Sequence, residues 1–520
     1  MSRIATSTGV ISLATAASRI LGFVRDLLIA RLFGTGVQAQ AFVVAFRLPN
    51  LLRDLVAEGA VTSAFVPVFS SYRSTKSPQE FWNLAHALVV RLTLVVAVLG
   101  GLGVVMAPWL VQVIAPGFTS DHDKFVLTVR LTRLLFPFIT LVGLWAFFMG
   151  LLNSLRHFAM PALGPAVLNL AMIGGCVWLA PRVEPPVLGL AWGVMLGGFV
   201  QCAMQVPVAV SLGFRWRVVW RHDGSREVMR LLVPRLIGSA VHQASVFFNT
   251  ILASLAVIAG EGAVAALYFA NRLVQLPLAL FGVASAQASL PALSEQAAAQ
   301  DLARFRSTLL AVLRMVAFVT IPAACGLAAL ALPIVQVCFE RGAFDRSSTV
   351  MTAQVLGLFA IGLLAYAASK VLTGAFYALK DTRTPVRLAI EALVVNVVLA
   401  VLCLPPLRVG GLALATALAS SLNAWRLLRT LERRLDEPLA SALVMPLGRM
   451  GLAALIMGIG CWIAWEWIAE ILMPLVGLPL VIVGGMIVYG LSCHVIRVEE
   501  LSIALRWLAR PSRTQPSLSA

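Results

Sequence analysis

Charge is scarce in this chain. Asp, Glu, Lys and Arg make up only 12% of 520 residues, against 60% hydrophobic residues and a mean hydropathy of +0.91. A water-soluble domain could not cover its surface with so few polar groups, so lipid is the solvent for most of the chain. No long polar stretch is available to fold as a separate soluble domain. The seven cysteines form no C-x-x-C pair and all stand in apolar runs, which reads as small buried hydrophobes rather than a disulfide framework or metal site. G-x-x-x-x-G-K-[ST], G-x-S-x-G and H-E-x-x-H are all missing, and the six histidines are scattered. Neither nucleotide hydrolysis nor another enzymatic activity is expected, and no cofactor. Energy must then come from a monovalent-ion gradient, from the membrane potential acting on charge, or from consumption of the substrate downstream. Acids are also scarcer than bases, 23 against 40, giving a net charge of +17. In a soluble protein that excess would suggest nucleic acid. Here the preference for cationic cytoplasmic loops accounts for most of it, and no nucleic-acid partner is expected.

What is present is hydrophobic runs. A spanning helix needs about 20 apolar residues, and the runs between polar or Pro/Gly breaks give 14 candidate spans, from 8–32 and 37–71 through 228–258 and 264–293 to 443–472 and 475–496. The first is read as a membrane helix rather than a cleaved leader, because its apolar run continues past Ser18–Arg19. Several runs exceed the bilayer thickness, so tilting, or breaks at Pro49, Pro137 or Pro277, are expected. Loops after even-numbered spans are basic, among them Arg215, Arg217, Arg221 and Arg226, whereas loops after odd spans carry Asp121, Asp123, Glu184, Glu261, Glu340 and Asp345. That asymmetry puts both termini in the cytoplasm.

The chain also repeats itself at an offset of roughly 222–226 residues. Gly34-Thr35-Gly36 is echoed by Gly260-Glu261-Gly262, Ala64-Phe65-Val66-Pro67 by Ala288-Ser289-Leu290-Pro291, and Arg91 by Arg314. Six spans per repeat return the chain to the same side, so the halves are parallel and face each other across an axis normal to the membrane. The expected architecture is an all-α integral membrane protein of about 14 transmembrane helices. An N-terminal lobe (1–222, spans 1–6) and a C-terminal lobe (223–437, spans 7–12) surround a central cationic cavity, spans 13–14 follow (438–510), and 511–520 form a cytoplasmic tail. Transporters built this way bind their substrate between the halves and rock one against the other.

Arginines inside the spans are the chemical signal. Arg19, Arg25 and Asp26 fall within span 1, Arg47, Arg53, Asp54 and Glu58 within span 2, and Arg272 within span 8. An arginine at mid-bilayer costs at least about 2.5–3.5 kcal/mol on insertion scales, so each needs a partner or a wet cavity. Internal pairing, such as Arg25 with Asp26 or Glu58, is one solution. Cations outnumber anions in these spans, however, and the surplus suits an anionic ligand, for which the planar guanidinium fork matches phosphate well. Asn249, Glu391 and Asn396 are candidate oxygen ligands for sodium between spans 7 and 11, although an intramembrane Asn more commonly bonds a neighbouring helix.

Ser18-Arg19-Ile20-Leu21-Gly22-Phe23-Val24-Arg25-Asp26, Phe33-Gly34-Thr35-Gly36, Ala45-Phe46-Arg47-Leu48-Pro49-Asn50 and Ala57-Glu58-Gly59-Ala60 resemble the MurJ (MviN) family of lipid II flippases. That family lies within the multidrug/oligosaccharidyl-lipid/polysaccharide exporter superfamily. The similarity continues through Asn271-Arg272-Leu273 and Lys380-Asp381-Thr382-Arg383-Thr384-Pro385, so it covers essentially the whole chain. It implies export of lipid II, the undecaprenyl-diphosphate-linked precursor of peptidoglycan, across the bacterial cytoplasmic membrane. It also implies 14 spans, with the last two forming a groove for the lipid tail. Arg19, Arg25, Arg53 and Arg272 match the family's central cations and are expected to bind the diphosphate. Gln40, Pro49, Asn50, Glu58, Asn271 and Gln275 fall at gate or cavity positions.

The chain departs from the family's pattern where Gln40, Asn271 and Gln275 stand in place of acids. The cavity is therefore expected to be more positive than is usual, with hydrogen bonds in place of ion pairs at the gate. Membrane lipids are the other expected contacts, and the chain is expected to act as a monomer. An exporter of another polyprenyl-diphosphate glycan would share these features. A cationic-drug exporter would want cavity acids, and a membrane glycosyltransferase or polymerase would need catalytic carboxylates by a large outer loop.

Overall fold

A computed structural model describes the backbone of residues 2–55 and 61–509, and the side chains of 13–51, 65–230 and 243–506. Glu58, the side chain of Arg53 and the tail 510–520 lie outside the described residues. Everything described is helix or short connection, with no strand among the described residues. Lipid offers backbone amides no partner, and a helix satisfies them within its own segment.

The chain begins with α1 (Ser2–Phe33), α2 (Val37–Leu55) and α3 (Val61–Thr75). It continues through α4 (Pro78–Val105), α5 (Ala107–Ile114), α6 (His122–Leu135) and α7 (Phe138–Ser154). After α8 (Ala159–Gly174), α9 (Val187–Ala203) and α10 (Val206–Ser211), the long α11 (Gly224–Ser254) opens the second repeat. That repeat runs through α12 (Ala256–Ala259), α13 (Ala263–Pro277), α14 (Ala284–Ala298), α15 (Leu302–Ala329) and α16 (Ala331–Phe339). It continues with α17 (Arg346–Ile361), α18 (Leu363–Ala378), α19 (Arg383–Leu407) and α20 (Val409–Leu435). α21 (Leu439–Ile471), α22 (Pro474–Val495) and the short α23 (Glu499–Ala509) complete the described chain. Pro137 stands at the break between α6 and α7, and Pro277 ends α13 before a wide turn at Leu278–Val283. Pro49, by contrast, lies inside α2 without interrupting it.

Among the described residues, nine helical stretches are long and apolar enough to cross a membrane, or ten if α17 and α18, bent by 45°, form one broken span. The other expected spans correspond to α1, α2 with α3, α11 and α20. Of these, α1 and α2 carry the in-span charges, and the second half of α20 carries Ser420, Ser421, Asn423, Arg426 and Arg429. In α2 and α20 those polar groups dilute the apolar signal, whereas parts of the side chains of α1 and α11 lie outside the described residues.

The chain divides into two compact units, Met1–Ala266 with Phe339–Ser348, and Leu267–Cys338 with Thr349–Ala520. The first has an aromatic core in which Phe65, Phe69, Phe147, Phe148 and Phe214 are nearly fully buried, with Phe147 and Phe148 edge-on at 5.3 Å. In the second, one core joins α14, α15, α18 and α20 through Leu293, Phe305, Leu309, Phe376 and Leu431. Another packs α21 and α22 on α15, where Tyr489 donates to the Phe318 carbonyl at 2.9 Å. Outer faces remain apolar, as at Val394, Leu402, Leu452, Met486 and Leu491, which a lipid-facing surface requires.

Candidate functional site

Among the described residues, Arg25 is the most deeply held of the expected cations, only 7% exposed. Its Nε and Nη2 donate to Asp26 Oδ1 at 3.0 and 2.7 Å, and its Nη1 donates to Asn169 Oδ1 on α8 at 2.7 Å. Asn169 Nδ2 in turn donates to the Ser18 carbonyl at 2.9 Å, so one amide ties two turns of α1 to α8. Gly22 opens the approach, since a Cβ there would stand 3.3 Å from Asn169 Nδ2. The pairing anticipated between Arg25 and Asp26 is thus present, with Asn169 as a third member. Breaking a buried pair by deleting one partner costs about 3–5 kcal/mol. Asp26→Leu is accordingly expected to lower the thermal unfolding temperature of the purified protein sharply. An unchanged temperature would show that Arg25 is held without Asp26.

Gln40 and the Gly34–Gly36 turn belong to a second cluster, at the end of the unit where α1 meets α2. Gln40 is 3% exposed; its Nε2 donates to the Thr35 carbonyl at 3.2 Å, and its Oε1 accepts from Lys124 Nζ at 3.2 Å. Lys124 is equally buried, stands 3.5 Å from Glu261 Oε2 and lies 4.3 Å above the Phe118 ring. The sequence reading did not single out this lysine, because Asp121-His122-Asp123-Lys124 looks like an ordinary polar loop. One signal was available: Lys124 lies in the first turn of α6, where the helix dipole disfavours a cation, so a lysine there calls for a partner.

The same cluster holds the two turns that echo each other in sequence. Gly262 approaches Thr35 so closely that a Cβ on it would stand 2.8 Å from Thr35 Oγ1. Thr35 Oγ1 lies 2.7 Å from Ser348 Oγ, and the Ala343 amide donates to the Arg31 carbonyl at 2.9 Å. Gly34, at φ +55°, ends α1 in the left-handed region, and a Cβ on it would overlap the Ala343 carbonyl. Gly342, at φ +64°, makes the reciprocal approach to the Arg31 carbonyl. The Gly117 amide donates to Ser254 Oγ at 3.1 Å, tying the Pro116–Ser120 turn to the end of α11.

Four connections therefore interlock here through backbone and short side chains. Asp345 caps α17 by accepting from the Ser348 amide at 2.8 Å, and hydrogen bonds from Ser348 hold its carboxyl below the usual carboxylate range. A lowered folded-state value means the cap's stabilisation is complete above the ordinary carboxylate pKa and fades only as pH falls through the lowered one. This contact is thus unaffected by pH near neutrality. At Gln40, an acid would face a buried ammonium directly. Gln40→Asp is expected to raise the unfolding temperature and Gln40→Leu to lower it. Equal temperatures in the two variants would mean that Glu261 and Phe118 hold Lys124 without help.

Arg272 is placed differently. It is half-buried on α13, with its guanidinium carbon 4.9 Å from the Tyr268 ring centroid. Its polar contacts to the Tyr268 hydroxyl (3.4 Å) and Gln275 Oε1 (3.5 Å) are long, and Asn271 and Gln275 are exposed. Arg19 is exposed on α1, while Pro49 is buried and Asn50 half-buried on α2. Arg47 donates from Nη1 to the Val246 carbonyl at 3.1 Å and also bonds Thr250 Oγ1, fixing α2 against α11. The expected sodium ligands do not share a unit. Asn249 lies in the first, whereas in the second Glu391 pairs with Arg387 (3.6 Å) and Arg426, and Asn396 donates to Thr416 Oγ1 at 3.2 Å. No cluster of three or more His, Cys, Asp or Glu that could hold a metal ion occurs among the described residues.

Comparison with known proteins agrees with these features. The family described as "Lipid II flippase MurJ" matches residues 29–476. The chain is 34% identical over 470 residues to "Lipid II flippase MurJ" of Burkholderia cenocepacia, covering 89% of this chain and 90% of that one. It is 34% identical over 468 residues to "Probable lipid II flippase MurJ" of Haemophilus influenzae, covering 86% and 90%. Among solved structures, "Lipid II flippase MurJ, inward closed conformation" is similar with a TM-score of 0.79 at 25% identity, over 96% of this chain and 99% of that one. An inward-facing multidrug transporter of the MATE family shares the fold with a TM-score of 0.67 at 14% identity, covering 80% and 94%. With in-span arginines, repeat-related turns in contact and a family match across most of its length, this chain belongs to the MurJ lipid II flippase family.

Proposed function

We propose that this protein carries lipid II from the inner to the outer leaflet of the bacterial cytoplasmic membrane by alternating access, as a multi-pass transporter and not as an enzyme. Both termini face the cytoplasm, lobes 1–222 and 223–437 move against each other, and 438–510 accommodates the lipid tail. The chain works as a monomer. The observation that carries this reading is the interlock at Gly34–Gly36, Gly260–Gly262 and Phe339–Ser348, where turns from the two sequence repeats meet. Those turns follow odd-numbered spans, so the interlock closes the outer side. It is built from hydrogen bonds and one exposed ion-pair partner, Glu261, all of which can be exchanged for water when it opens.

The arginines divide the work. Arg272, half-buried on α13 with an aromatic ring behind its guanidinium, is suited to receive a diphosphate, with Arg19 and Arg53 assisting. Arg25, committed to Asp26 and Asn169, is a positioning residue that fixes α1. Tyr268 and Gln275 lend Arg272 neutral support. Transport draws on the membrane potential or a monovalent-ion gradient. The test is complementation. Wild-type protein is expected to restore growth and outer-leaflet lipid II in a strain depleted of its own flippase. Growth failure with normal insertion in the membrane would refute the assignment.

A further inference from the structure

The connection between α10 and α11 has a composition unlike that of any other loop. Phe214-Arg215-Trp216-Arg217-Val218-Val219-Trp220-Arg221 alternates aromatic or aliphatic residues with arginines over most of its length and forms no helix. It begins three residues after Ser211, the end of a stretch able to span the membrane (Val187–Ser211), and therefore emerges at a bilayer surface. Trp216, Val218 and Trp220 are 63%, 69% and 61% exposed, and Arg215, Arg217 and Arg221 are exposed as well.

The ribbon is nonetheless anchored. Phe214 is fully buried against Phe148 and His86, and Trp216 meets both Phe214 and Phe148 edge-on at 5.2 and 6.2 Å. Arg91 Nε donates to the Trp220 carbonyl at 2.9 Å, and its Nη1 bonds Ser225 Oγ. The neighbouring acids do not neutralise the ribbon, because Glu80 pairs with His222 at 3.1 Å and Asp223 and Glu227 lie beyond it on the α11 side.

Aqueous exposure of two indoles and a valine is unfavourable, and three guanidinium groups so close together repel one another. A layer of anionic phospholipid headgroups relieves both. Indole rings favour headgroup depth, and arginine forks pair with phosphodiester oxygens. From this charge complementarity and the ribbon's place at the end of a span, we infer that residues 214–221 form a docking strip for anionic phospholipid headgroups. This function is separate from the transport cavity and does not rest on the flippase assignment.

Amide exchange of the full-length protein in nanodiscs tests this, because among the described residues the amides of 215–221 donate no backbone hydrogen bond. In discs containing phosphatidylglycerol the 214–221 amides are expected to exchange roughly ten-fold more slowly than in phosphatidylcholine alone. R215Q/R217Q/R221Q, which alters only exposed side chains, is expected to abolish that difference while leaving the unfolding temperature unchanged. Equal exchange of the wild type in the two lipids overturns the inference, as does a difference that persists in the triple variant. Inorganic pyrophosphate added to phosphatidylcholine discs separates the two sources of phosphate. Protection by pyrophosphate without protection by phosphatidylglycerol would mean that the strip binds a soluble anion, and the lipid assignment fails.

Discussion

Gly34→Val should yield a protein that inserts in the membrane but cannot hold the interlock at Gly34–Gly36 closed. Two effects combine at this position. A residue with a Cβ pays about 1–2 kcal/mol in the left-handed region that Gly34 occupies at φ +55°, and a β-branched one pays more. The new Cβ would also overlap the Ala343 carbonyl, forcing the 339–348 connection away and breaking the Ala343 to Arg31 hydrogen bond. With that bond counted at about 1 kcal/mol, the closed state loses at least about 2–3 kcal/mol, a shift of roughly 30- to 150-fold in its population. The measurement is labelling of a cysteine placed at Thr35 by a membrane-impermeant thiol reagent. Label should enter the variant readily and enter a Gly34-containing control slowly. Equal labelling would mean that the approach of Gly34 to Ala343 does not hold the interlock shut.

Arg272→Ala is expected to have the largest effect on substrate. A charged hydrogen bond to phosphate contributes about 1.5–3 kcal/mol, so binding of lipid II should weaken roughly ten- to hundred-fold. Growth of a flippase-depleted strain should fail. Arg272→Lys keeps the charge but loses the fork and much of the stacking on Tyr268, so it should rescue only in part. Titration of purified variants with lipid II distinguishes these outcomes. If the alanine variant binds as tightly as wild type, Arg272 is a structural residue held by Tyr268 and Gln275.

Much of this arrangement is legible in the sequence. Scarcity of charge fixed the solvent, and hydrophobic runs fixed the helices. The repeat identified Gly34-Thr35-Gly36 and Gly260-Glu261-Gly262 as equivalent turns, and the fold brings these same turns into contact. Arg25 could be matched with Asp26 because they are adjacent, but its other partner, Asn169, lies 144 residues away and is found only through the packing of α1 on α8. Lys124 escaped notice for a related reason. Its burial is created by Gln40 of α2 and by Phe118 and Glu261 from two separate connections, and no local pattern of residues encodes their meeting. Span counting is hardest at α2 and α20, where in-span polar groups dilute the apolar signal.

The central claim, that the interlocked turns must part for lipid II to cross, can be tested by pinning them. Thr35 Oγ1 and Ser348 Oγ are 2.7 Å apart, so T35C/S348C places two sulfurs within reach of a disulfide. The seven native cysteines are buried or half-buried, so oxidised wild type serves as a control. In vesicles holding the oxidised double variant, lipid II translocation should stop and then return when the disulfide is reduced, while oxidised wild type transports throughout. Undiminished translocation by the fully cross-linked protein would contradict the account.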